Sequence, residues 1–189
     1  MEEKNRKIVD AAVELFSEKG YNKTTMQEIA ETAGVGKGTI YRFFKSKDEM
    51  VSSLLEVYIE DIAERIRKAI SKVSDPIEKM KSVIQVELDY YDENRNFARF
   101  MIREAWGTQK RFIEHIRKIK ETRASLVEEI LFQGMEQNVF KKVDSDTIAA
   151  SLEGMILASS VHWFIFSDEY PKETIRENID TLFFEGILV

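Results

Sequence analysis

Apolar side chains recur at intervals of three and four residues along almost the whole of this 189-residue chain. That spacing places them on one face of an α-helix. Only two prolines interrupt the pattern, Pro76 and Pro171, and stretches that alternate apolar and polar residues, as half-buried strands do, are hard to find. The sequence therefore predicts an all-α protein of about nine helices.

Several helix ends are marked by residues that satisfy unpaired backbone groups. Thr25 with Glu28, and Ser46 with Glu49, have the spacing of capping boxes, in which a hydroxyl and an acid each accept from a backbone amide. Residues that tolerate the left-handed backbone of a helix stop or tight turn are Gly20, Gly34 and Asn138. These signals predict a short second helix from Thr25 and a short third helix over residues 37–44.

The chain has no cysteine, which excludes a disulfide framework, a thiol nucleophile and a zinc site built on cysteine. Residues 1–5 lack the apolar core of a signal peptide, so we expect a cytoplasmic protein. The formal net charge is −6, but residues 1–50 carry nine bases and nine acids, so the excess acid lies wholly in residues 51–189. Residues 34–47 contain four bases and no acid. Such a patch can attract phosphates while the rest of the chain stays acidic.

Residues 148–166 are nearly uncharged, and a membrane span is one interpretation of such a segment. Its length is only marginally sufficient, and Glu153, Gly154, His162 and several serines lie inside it. A helix that is apolar most of the way round is otherwise buried on several sides. We therefore expect a buried helix and no membrane partner.

The second and third helices, joined at residues 34–36, have the size of a DNA-binding helix-turn-helix. Ile40 and Phe44, four residues apart, would hold the third helix to the bundle. The residues then directed outward are small, hydroxylated, aromatic or basic, namely Lys37, Gly38, Thr39, Tyr41 and Arg42. A short helix with such a surface suits the major groove.

The same region resembles the N-terminal domain of the TetR (tetracycline-repressor-like) family of bacterial transcription regulators. The matching residues are Ala11-Ala12, Phe16, Gly20-Tyr21, Thr24-Thr25, Ile29-Ala30, Ala33-Gly34-Val35, Lys37-Gly38-Thr39-Ile40-Tyr41 and Phe43-Phe44-Lys45-Ser46-Lys47. The match extends over residues 8–55, and the remainder is similar to the family in length and helical character only. The resemblance implies a helix-turn-helix domain at residues 1–47 and an effector-binding and dimerisation domain at residues 48–189, without a cofactor or a metal.

From the resemblance and the outward surface of the third helix, the expected DNA contacts are Thr25, Lys37, Gly38, Thr39, Tyr41, Arg42 and Lys47. Thr25 and Lys47 would each bond a phosphate at a helix start. Arg42 is the expected base-reading residue, because a guanidinium matches the two acceptors of guanine. The family often has Tyr or His at position 43, whereas Phe43 cannot donate a hydrogen bond and is expected to pack beside the backbone or inward.

The body of the protein is expected to form a dimer and to bind an effector. Small residues in the eighth helix and an apolar stripe on the ninth resemble the four-helix interface of the family, which implies a homodimer through the last two helices. The residues predicted to line a small-molecule site are Tyr90, Phe97, Phe100, Met101, Arg103, Trp106, Met135, Met155 and Trp163. Residues 93–104 weakly resemble members that respond to fatty acyl-CoA. Arg99 and Arg103, four residues apart on one helical face, can clamp a carboxylate or phosphate, and pairing with nearby acids such as Glu104 or Asp89 is the favoured alternative.

Two other classes of protein are possible on the sequence alone. An enzyme is disfavoured, because His115 and His162 belong to no recognisable nucleophile or metal motif and the chain has no glycine-rich phosphate loop. A helical dimer that binds ligand or protein but not DNA is opposed by the basic run at residues 34–47. The favoured interpretation is a ligand-released repressor that binds a palindromic operator, and activation in place of repression is an alternative that the sequence leaves open.

Overall fold

The computed structural model describes residues 2–105, 117, 125–166 and 171–189. The helices in chain order are α1 Glu2–Lys19, α2 Met26–Thr32, α3 Lys37–Phe43, α4 Lys47–Ile70, α5 Pro76–Glu93, α6 Arg95–Ala105, α7 over residues 125–136, α8 Ser145–Phe166 and α9 Lys172–Ile187. Extended pairing in these ranges is limited to one bridge between Phe140 and Leu188. The predicted all-α fold is confirmed, while the predicted start of the seventh helix near residue 109 lies outside the described residues.

The predicted stops take the backbone conformation that ends helices. Gly20 has φ +80°, Gly34 has φ +65° and Asn138 has φ +54°. Glycine reaches this left-handed region without steric cost, and asparagine tolerates it better than most residues. Gly34 thereby allows the tight turn that separates α2 from α3.

The two predicted capping boxes differ in detail. At α2 the box is complete: Thr25 Oγ1 accepts from the amide of Glu28 at 3.2 Å, and Glu28 Oε2 accepts from the amide of Thr25 at 2.8 Å. At α4, Ser46 Oγ accepts from the amide of Glu49 at 3.1 Å, but the carboxylate of Glu49 accepts from Lys45, one residue before the cap, at 2.8 Å. Both helix starts are satisfied by local side chains, as the sequence indicates.

The chain divides into two compact units, and the first is built from two separate stretches. Met1–Tyr58 and Arg95–Ile116 form this unit, in which α6 packs against α1. The ring of Phe16 stacks between Tyr21 and Phe100, with centroids 5.9 and 5.2 Å away. The packing unit therefore includes α6 in addition to the predicted DNA-binding domain at residues 1–47.

The second unit consists of Ile59–Asn94 and Arg117–Val189, and α5, α8 and α9 pack together within it. The ammonium of Lys172, at the start of α9, lies 2.7 Å from Asp89 and 3.4 Å from Asp92 on α5. Phe140, in the connection after α7, packs so closely on Gly134 that a Cβ there would overlap its ring. These contacts fix the ends of the helices around an apolar core.

The nearly uncharged segment forms α8, which has one buried face and one exposed face. Its inner face buries Leu152, Ile156 and Ser160, whereas Gly154 and Ala158 are exposed. The sequence predicts that this helix is buried on several sides. In the single chain, one side of α8 is buried and the opposite side is exposed. No helix in the described ranges is long and apolar enough to cross a membrane.

The capping box of α2 also fixes the charge of its acid. Lys19 Nζ donates to Glu28 Oε1 at 3.0 Å, and Thr25 donates to the other carboxylate oxygen through its amide and its hydroxyl. These donors lower the pKa of Glu28 from 4.5 to about 2, with the bond from Lys19 as the largest cause. The ionised carboxylate is thus part of the structure that starts α2.

We expect a Glu28→Gln variant to be less stable than wild type at neutral pH, and the difference to vanish on acidification. The lowered pKa means that the folded state binds this proton less tightly than the unfolded chain does. The stabilisation is therefore complete above about pH 4.5 and is lost as the pH falls towards 2. Urea unfolding midpoints of both proteins between pH 2 and pH 7 measure the difference. Lys19→Met should remove part of the same pH dependence, because the two donors of Thr25 remain, and parallel curves for wild type and Glu28→Gln would contradict the assignment.

Candidate nucleic-acid interface

Thr25 stands at the start of α2 with an extended backbone and an exposed side chain. Its hydroxyl lies 2.9 Å from Glu28 Oε2, the same oxygen that accepts from its amide. Two donors of one residue therefore converge on a single anionic oxygen. This geometry suits an oxygen anion at a helix start, where the helix dipole adds to the attraction.

The third helix is attached to its unit through one side only. Ile40 is its single fully buried residue, and Phe44, directly after the helix, is buried too. The remaining residues of α3 are exposed or half-exposed, namely Lys37, Gly38, Thr39, Tyr41, Arg42 and Phe43. Tyr41 is 45% exposed although it is aromatic, and a Cβ built on Gly38 would meet no atom within 4 Å. The predicted inner and outer faces are confirmed, and the outer face carries Lys37 and Arg42 without an acid.

Lys47, predicted as a phosphate contact, has a second role that sequence reasoning missed. It is half-buried, and its ammonium donates at 2.6 Å both to the carbonyl of Tyr21 and to the carbonyl of Thr24. The same ammonium lies 4.2 Å above the centre of the Tyr21 ring. Lys47 therefore ties the first turn of α4 to the connection between α1 and α2, next to Thr25.

Tyr21 is a further residue that the sequence did not single out beyond its place in the family pattern. Its amide donates to Glu104 Oε1 at 3.0 Å, and its hydroxyl donates to Asp48 Oδ1 at 2.8 Å. Glu104 is buried, with 9% of its surface exposed. The partners are 83 and 27 residues away in the chain, so no local spacing signals them.

Four of the residues predicted to line an effector site belong to the unit that holds α1–α3. Phe97 stacks on Tyr58 with centroids 3.7 Å apart, Phe100 is fully buried against Phe16, and Met101 is half-buried. Arg103 Nη1 donates to the carbonyl of Glu18 at 2.8 Å and to that of Ser17 at 3.4 Å. The favoured pairing of Arg103 with a nearby acid is thus replaced by bonds to the last turn of α1.

The other predicted effector residues are spread over the second unit. Tyr90 is fully buried, with the guanidinium of Arg65 5.0 Å from its ring centre, and Met135 Sδ lies 3.5 Å from the amide of Val143. Met155 and Trp163 come together, in a groove of about 420 Å³ between α8 and α9. Trp106 lies outside the described residues, and the effector site stays a prediction.

Comparison with known proteins matches both parts of the chain. Residues 8–54 match the family of bacterial regulatory proteins named tetR, and residues 73–187 match a tetracyclin repressor-like C-terminal domain. The chain is 26% identical over 185 residues to the fatty acid metabolism regulator protein of Bacillus subtilis, covering 97% of this chain and 95% of that protein.

Two solved structures have the same fold. The fatty acid degradation regulator FadR from Bacillus halodurans superposes with a TM-score of 0.88 at 23% identity, over 97% of this chain and 95% of the other. The regulator FadR from Bacillus subtilis in complex with stearoyl-CoA has a TM-score of 0.86 at 25% identity, over 96% and 98%. The two family matches together span more than half of the chain. The chain therefore belongs to the tetR family of bacterial regulatory proteins, and it is a DNA-binding regulator of transcription.

Proposed function

We propose that this regulator is a repressor that binds a palindromic operator as a homodimer and leaves it when a long-chain acyl-CoA binds. The observation that carries the proposal is the likeness, along nearly the whole of both chains, to a fatty acid metabolism regulator and to a FadR bound to stearoyl-CoA. Operator DNA of bacteria lies in the cytoplasm, and we place the protein there.

The DNA contacts that we propose fall into two groups. Thr25 and Lys47, at the starts of α2 and α4, would hold phosphates; Lys47 donates to the carbonyl of Thr24, which places its ammonium next to Thr25. The outward residues of α3 would enter the major groove, namely Lys37, Gly38, Thr39, Tyr41 and Arg42. Their exposure and the absence of acid among them support this arrangement.

We expect Arg42→Ala to lose operator preference while it keeps most of its affinity for random DNA. A bidentate pair with guanine contributes roughly 1–3 kcal/mol of discrimination, so operator affinity should fall by about tenfold or more. The operator is first obtained by selection of bound oligonucleotides from a random pool, and both affinities are measured at one salt concentration. Lys45→Ala, an exposed base of the same run outside α3, is the matched control and should affect both duplexes equally. If Arg42→Ala and Lys45→Ala have the same ratio of operator affinity to random-DNA affinity, Arg42 does not read bases.

The homodimer that we propose uses the exposed faces of α8 and α9. Gly154 and Ala158 allow close approach of a partner helix, and Leu182 on α9 is 68% exposed although it is apolar. Met155, Ile175 and Leu182 are among the residues that line the groove between the two helices, which a second copy can fill. A two-fold dimer would present two α3 helices to the two half-sites of a palindrome.

Leu182→Glu should convert the dimer to a monomer at micromolar concentration. The symmetric interface would lose two buried leucines, each contributing about 1.5–3 kcal/mol, so we expect the dimer dissociation constant to rise by at least about a hundredfold. Light scattering reports the mass, and operator affinity should fall with it. Thr181→Glu adds the same charge at the preceding exposed residue, which does not line the groove, and should stay dimeric. An unchanged mass for Leu182→Glu would place the interface elsewhere.

The effector that we propose is an acyl-CoA with a long apolar chain. Apolar and aromatic residues of the second unit supply the kind of lining that such a chain needs, as Tyr90 and Met135 exemplify. Met155 and Trp163 lie in the α8–α9 groove that we assign to the dimer, so they are not part of the proposed effector site. Phe97, Phe100 and Arg103 pack or bond within the first unit and are not part of this proposal.

Titration of the operator complex with stearoyl-CoA should release the DNA, whereas CoA and acetyl-CoA should not. At a stearoyl-CoA concentration about a hundredfold above its dissociation constant, binding favours the DNA-free form by about 2.7 kcal/mol. That free energy lowers operator affinity about a hundredfold. Fluorescence anisotropy of a labelled operator measures release, and stearate in a parallel titration tests whether the CoA group is needed. An unrelated helix-turn-helix protein on its own site controls for detergent action. No release by stearoyl-CoA at concentrations that leave the control complex intact would refute the acyl-CoA effector.

A further inference from the structure

Side chains at the C-terminal end of α6 satisfy backbone groups at the C-terminal end of α1. The carbonyl of Ser17 and the amide of Tyr21 are the two groups that one more helical bond would join. Instead, the carbonyls of Ser17 and Glu18 accept from Arg103 Nη1, and the amide of Tyr21 donates to Glu104 Oε1. Adjacent residues of α6 thus satisfy both the acceptors and the donor at this helix end, where the dipole favours a cation.

Gly20 is shaped to admit these two side chains. Its φ of +80° ends α1, and a Cβ on this residue would lie 2.9 Å from Arg103 Nε and 3.4 Å from Glu104 Oε1. The guanidinium and the carboxylate therefore lie directly against the backbone of the connection. Glu104 has 9% of its surface exposed, so its bond to the Tyr21 amide lies in a region largely free of water.

The contacts continue from Tyr21 to the proposed phosphate-binding residues. The Tyr21 carbonyl accepts from Lys47, which also holds the carbonyl of Thr24, and Thr25 is the next residue in the chain. The connection at residues 20–25 is thus held by α6 through one side and by α4 through the other. Its position sets where the amide and hydroxyl of Thr25 lie.

We propose that Arg103 and Glu104 are positioning residues for operator binding. They hold the connection between α1 and α2 so that Thr25 and Lys47 meet the phosphate backbone together. Glu104 lies 83 residues after Tyr21 in the chain, so a helix that is distant in sequence is then part of the DNA-binding unit. The inference adds to the proposed phosphate contacts and does not depend on the nature of the effector.

The test compares variants that keep or remove each bond in the full-length protein without effector. Glu104→Leu leaves the Tyr21 amide without its acceptor, and we expect operator affinity per active dimer to fall about tenfold. Glu104→Gln keeps an oxygen at the same place and should restore affinity to within about threefold of wild type. Arg103→Gln should weaken binding about two- to fivefold, since it removes a cation from the end of α1.

The readout separates positioning from loss of stability. Stoichiometric titration first gives the active fraction, which an unstable variant lowers. The dependence of the dissociation constant on salt then reports phosphate contacts, and for Glu104→Leu its slope should decrease by about one for each contact that is lost. Glu14→Leu, at an exposed acid on α1, is the control and should change neither quantity.

The proposal would be overturned if folded Glu104→Leu and Arg103→Gln have the same operator affinity and the same salt slope as the wild type. If Glu104→Leu does not give a folded protein, Arg103→Gln decides alone, because Arg103 is exposed and its replacement leaves no buried group unpaired. Failure of Lys47 or Thr25 to contact DNA would show instead as wild-type salt slopes in Lys47→Ala and Thr25→Ala. That result would overturn the proposed contacts and, with them, the positioning role that rests on them.

Discussion

The ammonium of Lys47 joins the elements that present the third helix. A cation at the first residue of a helix is opposed by the helix dipole, so α4 alone gives this lysine no favourable place. The carbonyls of Tyr21 and Thr24, 2.6 Å away, and the face of the Tyr21 ring supply the negative potential instead. The lysine thereby converts an unfavourable local position into a link between α4 and the connection that starts α2.

The need to satisfy the backbone groups near this link explains why the DNA-binding unit is built from two separate stretches of the chain. The connection between α1 and α2 has polar backbone groups that neither helix can satisfy alone. Lys47 supplies donors from α4, while Arg103 and Glu104 supply a donor and an acceptor from α6. A unit cut at residue 47 would lack the second set, which is why the compact unit of the structure includes Arg95–Ile116.

Local features were predictable from the sequence, and long-range ones were not. The capping box at Thr25 and the left-handed turns at Gly20 and Gly34 depend on residues a few positions apart, so spacing alone identifies them. The bond between Tyr21 and Glu104 joins residues 83 apart, and only packing of α6 on α1 brings them together. Aromatic residues show a second limit: Phe97 and Phe100 are as apolar as a ligand site requires, but the same property serves a core stack. Composition cannot distinguish the wall of a cavity from the interior of a packed unit.

The attachment of α3 through Ile40 has an evolutionary consequence. Since one fully buried side chain and the following Phe44 hold this helix, its outward positions contribute little to the free energy of folding. Substitutions there can change which bases are read without a matching loss of stability. A duplicated copy of such a gene can therefore acquire a new binding site through a few replacements on one helical face, while the rest of the scaffold is inherited unaltered.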